Sequence, residues 1–178
     1  MASKIKVDTL ETANGSGSIT INNPIIAKGI SSTTLGNSNF VAGSTAGDSI
    51  TSGGNENTLV GTNAGTAITT GDNNVAFGNN SLTANTTASA NSSLGDNSLR
   101  DNTTGASNTA VGHASLLNNT TASENTAVGY YSLLANTTGA SNTAVGFQCL
   151  DANTTGTRNT AVGKSALGTN TTAAYNTA

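Results

Sequence analysis

The chain has 178 residues, and Asn, Thr, Ala and Gly make up more than half of them. Charged residues account for 8%, aromatic residues for 3%, and the formal net charge is −3. This composition excludes a thick core of large side chains, and six Lys and Arg against nine acidic residues argue against nucleic-acid binding through a basic surface. Because the chain has one His and one Cys, we expect neither an enzyme nor a protein with a cofactor.

Residues 1–38 are predicted to form a separate N-terminal segment. Apolar and polar residues alternate at 4–7 and at 18–21, and the turn-forming run 14–17 separates them. This pattern predicts a β-hairpin that docks the chain onto a partner protein. An alternative is that the segment caps the first coil of the repeat that follows. The apolar residues assigned to docking are Ile5, Val7, Ile19 and Ile21.

The start of the chain favours neither secretion nor insertion into a membrane. No apolar run of signal-peptide length follows Lys4 and Lys6. The sequence also lacks a stretch of roughly 18 apolar residues that could span a bilayer. We therefore expect a protein without a signal peptide that is made in a cytoplasm.

Residues 39–178 form a tandem repeat. The motif NTAVG begins at four Asn residues that lie 17 positions apart, and degenerate copies extend the register back to Asn39, with one spacing of 18. This gives eight units of the form N-T-A-V-G-x-x-S-L-x-x-N-T-T-G-x-x. Residues that share a unit position are predicted to stack in columns: Asn108, Asn125, Asn142 and Asn159 at position 1; Val111, Val128, Val145 and Val162 at position 4; Leu116, Leu133, Leu150 and Leu167 at position 9.

The repeat length predicts an all-β fold. Seventeen residues are too few for a helix–turn–helix unit, which needs about 33. Thr, Val and Asn are poor helix formers, and Asn-Thr-Thr-Gly is typical of a turn. We therefore predict a β-solenoid, or β-roll, of about eight coils, each with two short extended pieces. With about 4.8 Å per step, eight coils would rise about 38 Å.

The small amount of apolar material in each coil predicts an oligomer. Burying one Val and one Leu contributes roughly 1.5–3 kcal/mol each, whereas ordering 17 backbones costs roughly 17–34 kcal/mol. Within Thr-Ala-Val, the Ala and Val side chains point to opposite faces. One face would line the interior, and a partner subunit would cover the other. The expected assembly is a parallel homotrimeric fibre.

Several side chains are candidates for chemistry or for contact with another molecule. Four aromatic residues at variable positions are candidates for contact with a glycan or a protein on a surface: Tyr130, Tyr131, Phe147 and Tyr175. Cys149 replaces Ser in a column of small residues, which favours a buried, inert thiol, and His113 is expected on the surface. No metal-ligand motif appears. The Asn-Thr-Thr runs match a glycosylation pattern, but stacked Asn ladders are the favoured interpretation.

The unit NTAVGYYSLLANTTGAS at 125–141 resembles the repeats of fibre and structural proteins of marine bacteriophages, especially cyanophages. It is similar, more loosely, to the head repeats of trimeric autotransporter adhesins. The opening SKIKVD at 3–8 resembles the start of many virion proteins of that phage group. The resemblance implies a trimeric tail-fibre shaft or head in the virion. Its N-terminus would attach to other virion proteins, and its C-terminus would point toward the host for adsorption.

Two other functions remain open at this point. A bacterial trimeric adhesin would share the repeat, but such adhesins have a signal peptide and a membrane anchor, neither of which is expected here. An ice-binding solenoid would need rows of Thr on a flat β-face. Since no Thr-x-Thr column exists and the Thr-Thr pairs lie in predicted turns, the sequence disfavours that function.

Overall fold

A computed structural model of the chain describes residues 38–178, and these residues build a solenoid from very short strands. The eight strands, each of three residues, are β1 (Phe40–Ala42), β2 (Thr58–Val60), β3 (Val75–Phe77), β4 (Ser92–Leu94), β5 (Thr109–Val111), β6 (Thr126–Val128), β7 (Thr143–Val145) and β8 (Thr160–Val162).

The strands form one parallel sheet in the order of the sequence. Each strand pairs with the next along the chain, and Val111, Val128 and Val145 lie directly beside one another across β5, β6 and β7. The pairing is offset by 18 residues between β1 and β2 and by 17 elsewhere. The prediction of a β-solenoid with 17-residue coils is confirmed, and residues 38–178 contain no helix.

Each coil contains one strand, so the expectation of two extended pieces per coil is wrong. The remainder bends because three residues per coil adopt a left-handed backbone conformation, as Ala114 (φ 52°), Leu116 (φ 52°) and Glu124 (φ 63°) do. This conformation costs roughly 1–2 kcal/mol for a residue with a side chain. Bonds between coils offset the cost, as when Leu116 N–H donates to the carbonyl of Ser132 at 3.0 Å.

The interior is lined by the central residue of each strand. Ala144 is fully buried, whereas its neighbour Val145 is 36% exposed. The sequence left open which of these two faces lines the interior, and it is the Ala face; the predicted stacking of the Val residues in register is confirmed. Position 9 provides the large buried side chains, at Leu82, Leu99, Leu116, Leu133 and Leu150. A small Ala opposite a large Leu fills a narrow coil without voids.

A ladder of buried Asn side chains links the coils at position 1. The backbone N–H of Asn142 donates to Oδ1 of Asn125, and that of Asn159 donates to Oδ1 of Asn142, each at 2.9 Å. Asn142 Nδ2 also donates to the carbonyl of Gly156 at 2.8 Å. Most amides of this column are satisfied within the rod, as burial of polar groups requires, and the exception among residues 38–178 is Asn125, whose buried Nδ2 has no partner.

A second ladder runs through position 12. Asn119 Nδ2 donates to Oδ1 of Asn102 in the preceding coil at 2.8 Å and to the carbonyl of Ala122 at 2.9 Å. The second bond closes the Asn-Thr-Thr turn, so each Asn both shapes its own coil and joins it to the next. Five of these Asn residues are fully buried and inaccessible to glycosylation: Asn85, Asn102, Asn119, Asn136 and Asn153.

The second coil fills its interior differently. It has Leu59 at position 3, Gly65 at position 9 and Ile68 at position 12, where later coils have Ala, Leu and Asn. Leu59 and Ile68 are fully buried and occupy the space of the missing leucine: a Cβ added to Gly65 would lie 2.8 Å from each of them. The interior of this coil is therefore filled by large side chains at positions 3 and 12 instead of a Leu at position 9.

The predicted N-terminal hairpin, with Ile5, Val7, Ile19 and Ile21, lies outside the described residues.

Candidate functional site

One column of side chains forms a continuous surface ladder along the rod. It occupies position 6, directly after the glycine that follows each strand, and consists of Asn79, Asp96, His113, Tyr130, Phe147 and Lys164. We call this column the surface ladder. Its first members are joined by polar contacts, since Asn79 Nδ2 donates to Asp96 Oδ1 at 3.0 Å and His113 Nδ1 lies 3.1 Å from Asp96 Oδ2.

The aromatic part of the surface ladder is a stack. The ring centroids of His113 and Tyr130 are 5.3 Å apart with 22° between the planes, and those of Tyr130 and Phe147 are 5.5 Å apart with 7°. Lys164 Nζ lies 5.7 Å from the centroid of the Phe147 ring, within cation–π range. Tyr130 is therefore stacked between its neighbours in the adjacent coils, which occupy both faces of its ring.

Tyr131 lies beside this stack. Its ring centroid is 4.0 Å from that of Tyr130 and 5.6 Å from that of His113, with tilted planes. The hydrogen bond to Tyr131 raises the pKa of the Tyr130 hydroxyl, because proton loss would weaken that bond. Three of the four predicted contact residues are thus brought together, namely Tyr130, Tyr131 and Phe147.

A shallow groove of about 310 Å³ adjoins Tyr131. Unit positions 7 and 10 of three consecutive coils line it, together with His113; the residues from those positions are Asn97, Arg100, Ala114, Leu117, Tyr131 and Leu134. We call this feature the side groove. Sequence reasoning missed it, although the 17-residue period places 97, 114 and 131 in one column and 100, 117 and 134 in another.

Arg100, the cation that lines the side groove, is paired with a carboxylate. Arg100 donates two hydrogen bonds to Asp101, from Nε to Oδ1 at 2.7 Å and from Nη2 to Oδ2 at 2.8 Å. This hydrogen bonding raises the pKa of Arg100, so the guanidinium stays charged. His113 faces Asp96, as described above. The guanidinium charge that lines the groove is therefore balanced by Asp101.

Tyr175 belongs to a different column from the other predicted contact residues. It occupies position 17, where Arg158 of the preceding coil donates a hydrogen bond to its hydroxyl. The Arg158 guanidinium carbon also lies 5.4 Å from the centroid of the Tyr175 ring. Tyr175 is 71% exposed, and its position in the unit separates it from the side groove.

The outward face of the sheet is apolar along one row. None of the eight described strands contains a charged residue. Position 4 of the strands forms what we call the outer strip: Ala42, Val60, Phe77, Leu94, Val111, Val128, Val145 and Val162. Phe77 and Leu94 are each about half exposed, and Val162 is 62% exposed. Parallel sheets are usually covered on both faces, so this strip is unusual for an isolated chain.

Cys149 is buried in the interior column of small residues. Its thiol donates to the carbonyl of Ala161 at 3.2 Å, as the hydroxyl of Ser132 does to Ala144 one coil earlier. Burial raises the pKa of the Cys149 thiol, which suppresses the reactive thiolate.

Within residues 38–178, no group of three or more His, Cys, Asp or Glu side chains is arranged to hold a metal ion. The same residues provide no helix that is long and apolar enough to cross a membrane.

Comparison of the chain with protein-family models, with curated proteins and with solved structures gives no match. The fold defines the chain as a parallel β-solenoid, and the resemblance to phage fibres stays a prediction.

Proposed function

We propose that the chain is a structural fibre protein of a virion, in which the solenoid is a tail-fibre shaft or head. The N-terminal segment would attach to other virion proteins, and the rod would extend toward a glycan or a protein on the host surface. The observation that carries this proposal is the uninterrupted register of the eight coils. Backbone bonds and the position-1 Asn ladder cross every step, and the position-12 ladder joins the coils from Asn85 onward. These bonds make the rod stiff along its axis and suit it to hold contacts at a distance.

The proposal includes assembly into a parallel homotrimer. The outer strip supports it, because a row of half-exposed Val, Leu and Phe along a parallel sheet gains stability when a second copy covers it. Each such side chain contributes roughly 1.5–3 kcal/mol when fully buried. Three copies with the same orientation would bring identical rows together around one axis.

Labelling of particles by electron microscopy tests the function. Antibodies raised against residues 39–178 should decorate thin fibres that project from phage particles carrying this chain. Labelling of a bacterial envelope in place of particles would support the adhesin alternative. Absence of labelling from both would contradict any fibre function.

One observation favours a second candidate, an ice-binding solenoid. Position 2 of the strands places Thr109, Thr126, Thr143 and Thr160 in a row on the outward face, spaced by about 4.8 Å. This row lies on the sheet, whereas the Thr-Thr pairs lie in the turns. The two functions exclude each other, because a trimer would cover the face that ice must contact. Thermal hysteresis from a monomer would favour ice binding.

A further inference from the structure

We propose that the side groove binds a neutral saccharide that lies along the rod across three coils. This inference rests on the proposed host-contact function and makes it specific, since it assigns the contact to one site and one class of ligand. It is carried by the chemistry of the groove wall, by its paired charges and by its size.

The groove wall combines apolar and hydrogen-bonding groups. Leu117 and Leu134 stack one above the other and, with the ring of Tyr131, provide an apolar surface. Asn97 and the Arg100–Asp101 pair add planar polar groups at one end. A pyranose ring has the matching chemistry, because its C–H groups form apolar patches and its hydroxyls both donate and accept. Binding sites commonly pair an apolar wall with a few fixed polar groups.

The charges of the groove favour a neutral ligand. Both carboxylate oxygens of Asp101 accept from Arg100, and His113 lies against Asp96. An anionic ligand would have to compete with Asp101 for the Arg100 guanidinium, and a cationic ligand would be repelled by that guanidinium. A polyhydroxyl compound can bond to the edges of these pairs without separating them.

Tyr131 is the aromatic residue that serves this site. Tyr130 has ring neighbours on both faces, and Phe147 is stacked against Tyr130 and lies under the ammonium group of Lys164. Neither residue lines the groove, whereas Tyr131 does. The surface ladder therefore supports Tyr131 from behind and fixes the position of its ring.

The groove has the size of a short oligosaccharide site. Its volume of about 310 Å³ lies at the lower end of the range for small-ligand sites. Its outer coils are two steps apart, which is about 10 Å along the axis, and this length accommodates two sugar rings. In a trimer, three such grooves would lie at the same height on the fibre and would strengthen weak binding through multivalency.

Titration of the full-length protein with defined sugars, followed by NMR, tests the proposal. The probes are maltotriose, mannotriose and chitotriose as neutral sugars and trigalacturonate as an acidic one, each up to about 10 mM, where even ligands of millimolar affinity occupy a site. We expect at least one neutral probe to shift the amide signals of Arg100, Leu117, Tyr131 and Leu134. The affinity should not change with salt, since neutral ligands are not screened.

The chain offers matched variants for this test. Tyr131→Ala should fold, because the preceding coil has Ala114 at the same position with the same left-handed backbone conformation. It should weaken binding at least about tenfold. Tyr175→Ala copies Ala90 in the same way, lies outside the groove and should leave binding unchanged. Leu117→Thr, which copies Thr83 at position 10, should weaken binding as well.

The proposal is overturned if none of the neutral probes shifts the groove signals, if trigalacturonate alone binds, or if Tyr131→Ala binds as the unchanged chain does. Dissociation of the oligomer by Tyr131→Ala would also overturn it, because the groove would then be an interface between copies. Labelling of fibres on particles and the trimeric mass do not depend on the groove. Failure of sugar binding can therefore be told apart from failure of the proposed fibre function.

Discussion

At the scale of single residues, buried amides hold the rod together. Asn119 donates to its own turn and to Asn102, and its Oδ1 accepts from Asn136 at 2.9 Å. A hydrophobic side chain in its place would remove the bond to the buried Oδ1 of Asn102 and one bond each from Asn136 Nδ2 and the Ala122 carbonyl. Such orphaned groups cost more than an average hydrogen bond contributes.

We expect Asn119→Ala to lower the free energy of unfolding by about 1–3 kcal/mol, because the buried Asn102 Oδ1 loses its donor and the Ala122 carbonyl loses one of two donors. Thermal and urea unfolding followed by circular dichroism measure this change. Asn118→Ala is the control, since position 11 carries Ala in other coils, as at Ala135. Equal losses for the two variants would show that the ladder contributes nothing specific.

The raised pKa of Cys149 has a consequence for stability at high pH. The folded-state pKa lies above the unfolded value of about 8.5. The contribution of this thiol is therefore complete below about pH 8.5 and is lost as the pH rises through the folded-state pKa. Cys149→Ser, which copies Ser132, should remove this dependence.

The measurement is the difference in unfolding free energy between the unchanged chain and Cys149→Ser across pH 7–10 (roughly the range of the thiol titration). Dithiobis(nitrobenzoic acid) should react with Cys149 quickly in urea and slowly in the native protein. Fast reaction in the native protein would contradict the burial of the thiol.

At the scale of the coil, one interior can be filled by two different sets of residues. Most coils use Ala, Leu and Asn at positions 3, 9 and 12, whereas the second coil uses Leu59, Gly65 and Ile68. Because these side chains occupy the same space, a single exchange between the two sets creates a clash or a void. A complete exchange creates neither.

We expect Gly65→Leu alone to destabilise the protein by about 1–3 kcal/mol through overpacking against Leu59 and Ile68. The triple variant Leu59→Ala, Gly65→Leu, Ile68→Asn should recover most of this loss, because it recreates the common coil. Unfolding curves of the single and triple variants measure the coupling. Additive losses would refute the shared-volume explanation.

The sequence alone predicted the coil spacing, the turns and the stacked columns, because a 17-residue period leaves one consistent way to align the coils. It did not show that Ala faces inward and Val outward. Both are apolar, and only the position of Leu116 and its equivalents decides which one fits inside. The different filling of the second coil was also not predicted, because Ile68 replaces the missing leucine side chain at Gly65 from a position three residues later.

The candidate site was predicted in part. The aromatic residues at positions 6 and 7 were identified, but Tyr175 was grouped with them although it lies in another column. Arg100, Leu117 and Leu134 were missed because each is unremarkable within its own coil. They form a groove only when three coils are stacked.

At the scale of the whole molecule, the outer strip is the surface on which the proposed trimer would form. We expect the unchanged protein to have a trimeric mass in solution, and Val128→Lys with Val145→Lys to shift it toward the monomer. Each charge would be buried without a partner at the axis, which is strongly unfavourable. Thr138→Lys, in an exposed turn, is the control and should stay trimeric.

Light scattering coupled to gel filtration gives the mass, and circular dichroism shows whether the coils remain folded. A trimer that tolerates both Lys substitutions would place the interface elsewhere than on the outer strip. A monomeric unchanged chain would contradict the trimer itself.

The regular offset between paired strands makes the length of this rod a stepwise quantity. Within residues 57–178, removing or duplicating a block of 17 residues preserves every column, because each strand there pairs with the next at an offset of 17. Tandem duplication of a 51-nucleotide segment would therefore lengthen the reach by one rung of about 4.8 Å without any new packing problem. Selection could therefore change the length of the rod in small increments while its contact surface stays the same.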